Sequence, residues 1–231
     1  MTKISVIIPA YNEEKTIHSI LQSVREQKIH GFTFEIIVID DGSTDKTVEI
    51  LESQPHLYDR LVKQENNSGK GAAVIAGLNI ATGDYILFQD ADLEYDPSEY
   101  AVLLLPVSAF NADVVMGSRF IAPRYSRVHY FWNMVGNKVI TLIFNVLNNT
   151  TFTDIYSCYL IYRRSLLDPA LLKTRGWQQH AEILSMVTRN AAVIYDVPIS
   201  YHGRSQEEGK KIRAYHVIGV IWTIFKKRLL K

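Results

Sequence analysis

A single cysteine, Cys158, excludes an internal disulfide framework and a cysteine-rich zinc site. It sits in a mostly apolar run and reads as a buried structural thiol. No stretch approaches the ~20 consecutive apolar residues needed to cross a bilayer. The opening MTKISVIIPAYNEE carries only a handful of apolar residues before Pro9, too few for the core of a secretory leader. Cytoplasmic residence is therefore expected. The net charge of +1 provides no global attraction to nucleic acid, and no nucleic-acid partner is expected. Repeats, low-complexity tracts and Pro/Gly-rich linkers are missing as well. One domain spanning residues 1–231 is expected, with oligomeric state left open.

What charge there is lies unevenly. Residues Tyr201–Lys231 hold eight Lys/Arg against two Glu, so the preceding 200 residues are net acidic. Between Val114 and Thr153, Arg119, Arg124, Arg127 and Lys138 meet no acid. Both stretches suit either an anionic surface or a solvated basic face.

The first half alternates strand and helix signals. Apolar strands are expected at Ile4–Ile8, Glu35–Ile39, Tyr85–Phe88 and Asp113–Met116, with a weaker one at Arg60–Lys63. Helices are expected at Glu13–Gln27, from Thr44 or Asp45, at Gly69–Ala81, and from Asp96-Pro97 to Phe110. Such alternation predicts a mostly parallel sheet covered on both faces. Later helices are expected over His129–Leu147, Ala181–Thr188 and Ile212–Leu229, with strands at Tyr159–Tyr162 and Val193–Val197.

Ligands of open parallel sheets bind outside the carboxyl ends of the strands. Three such ends carry acids here: Glu13, then Asp40 and Asp41, then Asp90 and Asp92. Carboxylates gathered at one edge repel unless a cation relieves them. Asp90-Ala91-Asp92 on a strand-to-loop turn suits an oxygen-ligated ion that also holds substrate phosphates. Gly69-Lys70-Gly71 is no P-loop, because Gln64 stands where the first glycine is required and Gly71 where Ser or Thr should follow the lysine. It suits either a tight turn before a helix or a helix N-terminus near a nucleotide.

Together, Pro9-Ala10-Tyr11-Asn12-Glu13, Asp40-Asp41-Gly42-Ser43, Gly69-Lys70-Gly71-Ala72-Ala73, Asp90-Ala91-Asp92-Leu93 and Gly117-Ser118-Arg119-Phe120 resemble family 2 glycosyltransferases in type and order. The branch they resemble holds dolichol-phosphate mannosyltransferases and polyprenyl-phosphate glycosyltransferases. Thr153-Asp154, Ala181-Glu182-Ile183, Gly203-Arg204 and Gly209-Lys210-Lys211 fit that branch too. The resemblance implies a GT-A fold, a Rossmann-like α/β mixed sheet flanked by helices. Residues 1–120 would form the nucleotide-sugar half and 121–231 the acceptor half. It implies an inverting, metal-dependent transferase using a GDP- or UDP-linked sugar, with a polyprenyl phosphate acceptor at an anionic, cytoplasmic membrane face. Alternatives are transfer to a hydroxyl of a saccharide or protein, and a non-catalytic nucleotide-sugar-binding partner.

By the same resemblance, Pro9, Tyr11, Glu13 and Asp41 hold the nucleoside, and Ile39 lines the base pocket. Asp90, Ala91 and Asp92 meet the diphosphate, with Asp90, Asp92 and Glu94 as ligands of Mg2+ or Mn2+. Arg119, Arg204 and Lys210 contact phosphates, and Asp92 and Arg119 carry the catalytic weight. Where some relatives place an arginine in the helix after Gly-Ser-Arg, this chain reads Tyr130-Phe131-Trp132-Asn133-Met134, leaving Arg124, Arg127 or Lys138 as substitutes. A hydroxyl acceptor requires a general base; Asp154 and Glu182 are its candidates, and each could equally organise structure. In Asn133–Asn148, Asn133, Asn137, Thr141, Asn145 and Asn148 form a narrow polar stripe on an otherwise apolar helix. That helix and Ile212–Leu230 suit a membrane interface, a core or a dimer contact.

Overall fold

Unbroken apolar runs in the first strands require cover on both faces, and the structure provides it. A computed structural model describes residues 1–121, 131–203 and 216–229. Strand β1 (Thr2–Ala10) pairs in parallel with β2 (Phe32–Asp40) and with β4 (Tyr85–Phe88), and β2 pairs with β3 (Arg60–Lys63). Ile4, Val6, Ile7 and Ile8 of β1 and Ile36–Ile39 of β2 are fully buried. Strand β5 (Val114–Ser118) runs parallel to β7 (Ile194–Pro198), while β6 (Leu160–Arg163) lies antiparallel between β4 and β5. The sheet has seven strands in the order β3-β2-β1-β4-β6-β5-β7. It is mixed, and it runs through both halves of the chain.

The helices are α1 (Ile17–Arg25), α2 (Thr47–Ser53), α3 (Lys70–Ile80), α4 (Tyr100–Phe110), α5 (Phe131–Asn148), α6 (Gln179–Asn190) and α7 (His216–Leu229). In α1 the buried residues Ile17, Ile20, Leu21 and Val24 fall at the spacing of one helical face. Helix α3 instead presents small residues to the sheet. A Cβ at Gly77 would come within 2.7 Å of the Ile39 side chain and 2.8 Å of Ile7, so only glycine lets α3 lie this close to β1 and β2.

Helices α1 and α2 start later than their periodicity predicts, because their leading residues stitch two loops together. The Glu13 N–H donates to Thr47 Oγ1 (2.9 Å), and the Thr44 N–H donates to Asn12 Oδ1 (2.8 Å). Asp45 takes the Thr47 N–H at 2.9 Å and the Glu14 N–H at 3.1 Å. A residue read as a helix cap thus also holds the neighbouring loop. Asn12 adopts φ +53°, a left-handed conformation asparagine tolerates.

At the opposite edge of the sheet, Glu35 is a buried carboxylate on β2. It accepts from Ser5 Oγ (2.5 Å), the Thr82 N–H (2.9 Å), Thr82 Oγ1 (2.7 Å) and Lys3 Nζ (3.1 Å). Burial opposes its ionisation, but these donors outweigh burial and pull its pKa from 4.5 down to about 2. Its stabilising contribution is therefore complete above pH 4.5 and is lost as pH falls through about 2. Glu35→Gln should cost ~1–3 kcal/mol at neutral pH and flatten the acid limb of the stability curve. Urea melts of both proteins from pH 7 to pH 3 check this; parallel acid limbs contradict it.

Candidate active site

The strand order reverses at β1. The chain proceeds to β2 and β3 on one side, then returns to place β4 on the other. A crevice opens outside the carboxyl ends of β1 and β4, the position where open α/β sheets bind ligands. A cavity of about 360 Å³ lies there. Pro9, Tyr11, Glu13, Asp41, Asp90, Ala91, Asp92 and Glu94 line it; of the strand-end acids Asp40 is the exception, buried and accepting the Ser43 N–H at 3.1 Å.

Asp41 carries two roles at that wall. Its carboxylate oxygens take the Ser68 and Gly69 N–H groups, each at 2.9 Å, and so hold the loop that leads into α3. Burial raises its pKa, those donors oppose the rise, and Asp40 adds to it. Gly42 turns the chain between them at φ +70°, where a Cβ would sit 2.7 Å from the Asn66–Asn67 backbone.

Lys70, the first residue of α3, pairs its ammonium with Asp90 and lies 5.6 Å from the centre of the Trp177 ring. Burial disfavours the charges of both groups. Their mutual attraction outweighs it, holding the Asp90 carboxyl below and the Lys70 ammonium above its ordinary value. From the sequence, Gly69-Lys70-Gly71 suits a tight turn or a helix N-terminus near a nucleotide and assigns the lysine no partner of its own; that partner lies twenty residues on.

The loop after β4 is fixed from beneath by Gln89, which is fully buried. Its carbonyl accepts from Tyr100 (2.8 Å) and Tyr159 (2.9 Å), and its amide donates to the carbonyls of Asp90 (3.0 Å) and Tyr95 (3.2 Å). Leu93 sits at φ +61°, a conformation uncommon outside glycine. Asp92 Oδ1 accepts the Glu94 N–H at 3.1 Å, and Glu94 Oε2 accepts from the Tyr201 hydroxyl at 2.7 Å. Gln89 and Tyr201 were both missed as site supports. Only the loop geometry reveals the first, and the second approaches from beyond β7.

The cavity is roofed by Gly176 and Trp177. The preceding Arg175 carbonyl accepts the Ala72 N–H (3.2 Å) over the start of α3, and Tyr156 donates to the Trp177 carbonyl (3.0 Å). A Cβ at Gly71 would meet the Arg175 carbonyl carbon at 2.5 Å, and one at Gly69 the Arg175 oxygen at 2.9 Å. The Gly-Lys-Gly motif is thus a seat for the roof with a charged residue at its centre.

Several expected residues lie elsewhere. Ile39 is fully buried in the sheet core beneath α3 and does not line the cavity, a correction to its base-pocket role. Arg119 stands beside the cavity, its guanidinium 5.0 Å from the centre of the Tyr201 ring. It donates to Asp154 through Nε (2.6 Å) and Nη2 (3.0 Å). Asp154 is fully buried, which opposes its ionisation, yet Arg119 keeps its carboxyl below the usual range. Arg204 and Lys210, with Arg124 and Arg127, fall outside the described residues. His180 has its pKa pushed down to about 4, first by burial and then by Lys70. Its imidazole is therefore neutral at pH 7.

Asp90, Asp92 and Glu94 offer hard oxygen donors to the same cavity. Among the described residues, no three His, Cys, Asp or Glu side chains form a ready metal cage. The donor set fits an ion of the Mg2+ type, which takes one or two carboxylates and completes its shell with water and substrate phosphates.

Comparison with known proteins agrees with this geometry. The profile of Glycosyl transferase family 2 matches residues 5–170. Undecaprenyl-phosphate 4-deoxy-4-formamido-L-arabinose transferase of Proteus mirabilis is 31% identical over 176 residues, covering 74% of this chain and 52% of that protein. Dolichol-phosphate mannosyltransferase of Pyrococcus furiosus is 26% identical over 220 residues, covering 92% and 61%. The chain spans between about half and three fifths of the length of these curated relatives. Glucosyl-3-phosphoglycerate synthase of Mycobacterium tuberculosis, solved with Mn2+, UDP and phosphoglyceric acid, superimposes with TM-score 0.73 at 22% identity, covering 100% of this chain and 80% of that one. Staphylococcus aureus TarS 1-349 with UDP-GlcNAc gives TM-score 0.65 at 20% identity, covering 99% and 68%. These likenesses establish the GT-A fold.

Gly71→Ala should lift the roof off α3 and cost ~1–3 kcal/mol, the usual range for overpacking. Thermal melts check it, with Trp177 expected to become more accessible to a quencher. An unchanged melting temperature contradicts it.

Proposed function

The chain belongs to glycosyl transferase family 2, and on that footing we propose that it moves a hexose from a nucleotide-diphosphate sugar to a polyprenyl or dolichyl phosphate, inverting the anomeric centre. The nucleoside is assigned to the wall formed by Pro9, Tyr11, Glu13 and Asp41, and the diphosphate to the Asp90–Glu94 loop. A Mg2+ or Mn2+ ion held there by Asp90, Asp92 and Glu94 would neutralise charge on the leaving diphosphate. Lys70 adds a protein cation at the same place, and Arg119, Arg204 and Lys210 are assigned to donor or acceptor phosphates. Residues 1–120 serve as the donor half and 121–231 as the acceptor half.

The observation that carries the acceptor choice is the orientation of α5. A solvated helix turns its polar stripe outward. Here Asn133 stays exposed at the start of the helix, but further along Thr141 is buried and Asn145 turns in to bond the Phe152 carbonyl (2.7 Å) and N–H (3.0 Å). Trp132, Val139, Leu142 and Val146 point outward instead, Trp132 at 77% and Val146 at 74% exposure. Helix α7 packs beside it, exposing Ile218 (75%) and Trp222 (64%) with Lys226 and Arg228 at its end. Apolar surface rimmed by bases suits an anionic membrane interface. No helix among the described residues is long and apolar enough to cross a membrane; the attachment proposed through this face is peripheral.

A phosphate acceptor is already an anion and needs no general base. Asp154 and Glu182, the carboxylates weighed for that task, are both committed: Asp154 to Arg119, and Glu182 to Lys227 at 2.5 Å. This favours phosphate over a hydroxyl acceptor. The basic C-terminal stretch contributes less to that surface than its sequence suggests. Lys227 turns inward and Lys231 lies outside the described residues.

Asp92→Asn should nearly abolish transfer and leave the thermal melt intact, because an amide is a poorer ligand for a hard cation. Near-normal turnover of the purified variant with Mn2+ present contradicts the metal assignment. Leu142→Glu with Val146→Glu should abolish sedimentation with phosphatidylglycerol vesicles at low salt and leave nucleotide affinity unchanged. If wild type stays in the supernatant and a soluble sugar outcompetes polyprenyl phosphate for label, the lipid acceptor is wrong.

A further inference from the structure

Glu182, in the first turn of α6, is fully buried. Its carboxylate takes the Thr174 N–H at 2.8 Å, the Thr174 hydroxyl at 2.5 Å and the Lys173 N–H at 3.1 and 3.2 Å. It also pairs with Lys227 Nζ of α7 at 2.5 Å. The donors to this carboxylate thus come from two places, the segment leading into the cavity roof and the helix with the exposed apolar face. Burial opposes ionisation of Glu182, and Lys227 and Thr174 outweigh it to keep the carboxyl below its ordinary value. Lys227 reaches on toward the Leu171 carbonyl at 3.4 Å, at the start of the same segment.

From Thr174 the chain continues into Arg175, seated on the glycines of α3, and then into Gly176 and Trp177 in the cavity wall. A buried carboxylate stripped of its cation must repack or take up a proton, and the groups bonded to it move too. We propose that Lys227 and Glu182 are a positioning pair: acting through Thr174, they set the roof of the donor cavity, so the seating of α7 determines how tightly the donor nucleotide is held. The link to the nucleotide rests on the donor reading given above. The link between α7 and the roof does not. A pair serving only to anchor α7 would leave the roof indifferent to its loss.

The test uses the full chain with Trp132→Phe and Trp222→Phe, which leave Trp177 as the sole tryptophan. In this background Lys227→Met should make Trp177 more accessible to acrylamide. It should also weaken binding of UDP or GDP with Mn2+, whichever the parent binds, by roughly three- to tenfold. Lys227→Arg should restore both signals. Because Lys227→Met leaves a buried lone charge, two companions guard against simple unfolding. Glu182→Gln with Lys227→Met removes both charges, and Thr174→Val removes the hydroxyl bond from the roof segment to Glu182 while leaving the ion pair and the backbone N–H bonds in place. Each should loosen the roof in the same direction. A folded variant with unchanged Trp177 quenching overturns the proposal, as does a loosened roof with unchanged nucleotide affinity. If the parent binds neither nucleotide while Trp177 still responds to Lys227→Met, the donor reading has failed and the coupling of α7 to the roof stands.

Discussion

Carboxylates crowded at one sheet edge repel one another, and the rest of the site is arranged around relieving that repulsion. Asp41, Asp90, Asp92, Glu13 and Glu94 all face one cavity. Lys70 answers them from the first position of α3, where the helix macrodipole disfavours a cation. The pairing with Asp90 offsets that cost. It also explains why α3 must start where it does. The Asp41 carboxylate holds the Gly69 N–H, which fixes the helix origin and delivers the lysine to its partner. Moving α3 by one residue would carry Lys70 about 100° around the axis and away from the cavity.

A second constraint follows from how closely α3 lies to its surroundings. Gly77 lets it touch the sheet, and Gly71 lets Arg175 touch it from the other side. The helix is therefore clamped between the core and the roof. The Trp177 ring lies beside the Lys70 ammonium, so the half-buried ion pair is partly screened from water on that side. Among the described residues, the roof is also tied to Tyr156 and Glu182, which lie in the second half of the chain.

Much of the first half of the chain was legible because its signals are local. Strand-end acids appear in the sequence directly after apolar runs, and the α/β alternation orders them along one edge. What was hidden depends on distant pairings. The antiparallel placement of β6 between β4 and β5 follows from the path of the intervening chain, which no local period encodes. The family resemblance put Ile39 in the base pocket, but a strand buried on both faces does not declare which side a given residue takes. Lys227 sits between two other bases and reads as surface charge. Only its partner Glu182, 45 residues earlier, turns it inward. The polar stripe of α5 was visible, but its direction was not, since Asn145 is drawn in by the backbone at Phe152.

The outward apolar face of α5 also bears on how the proposed lipid acceptor would be encountered. A protein held at a surface by Leu142, Val146 and their neighbours meets its lipid partner by lateral diffusion in two dimensions, while a nucleotide reaches the cavity from bulk water. The two substrates then obey different concentration scales. Under that proposal saturation by the lipid would follow its mole fraction in the surface, so diluting the bilayer with inert lipid would starve the reaction even with the amount of acceptor in the tube unchanged.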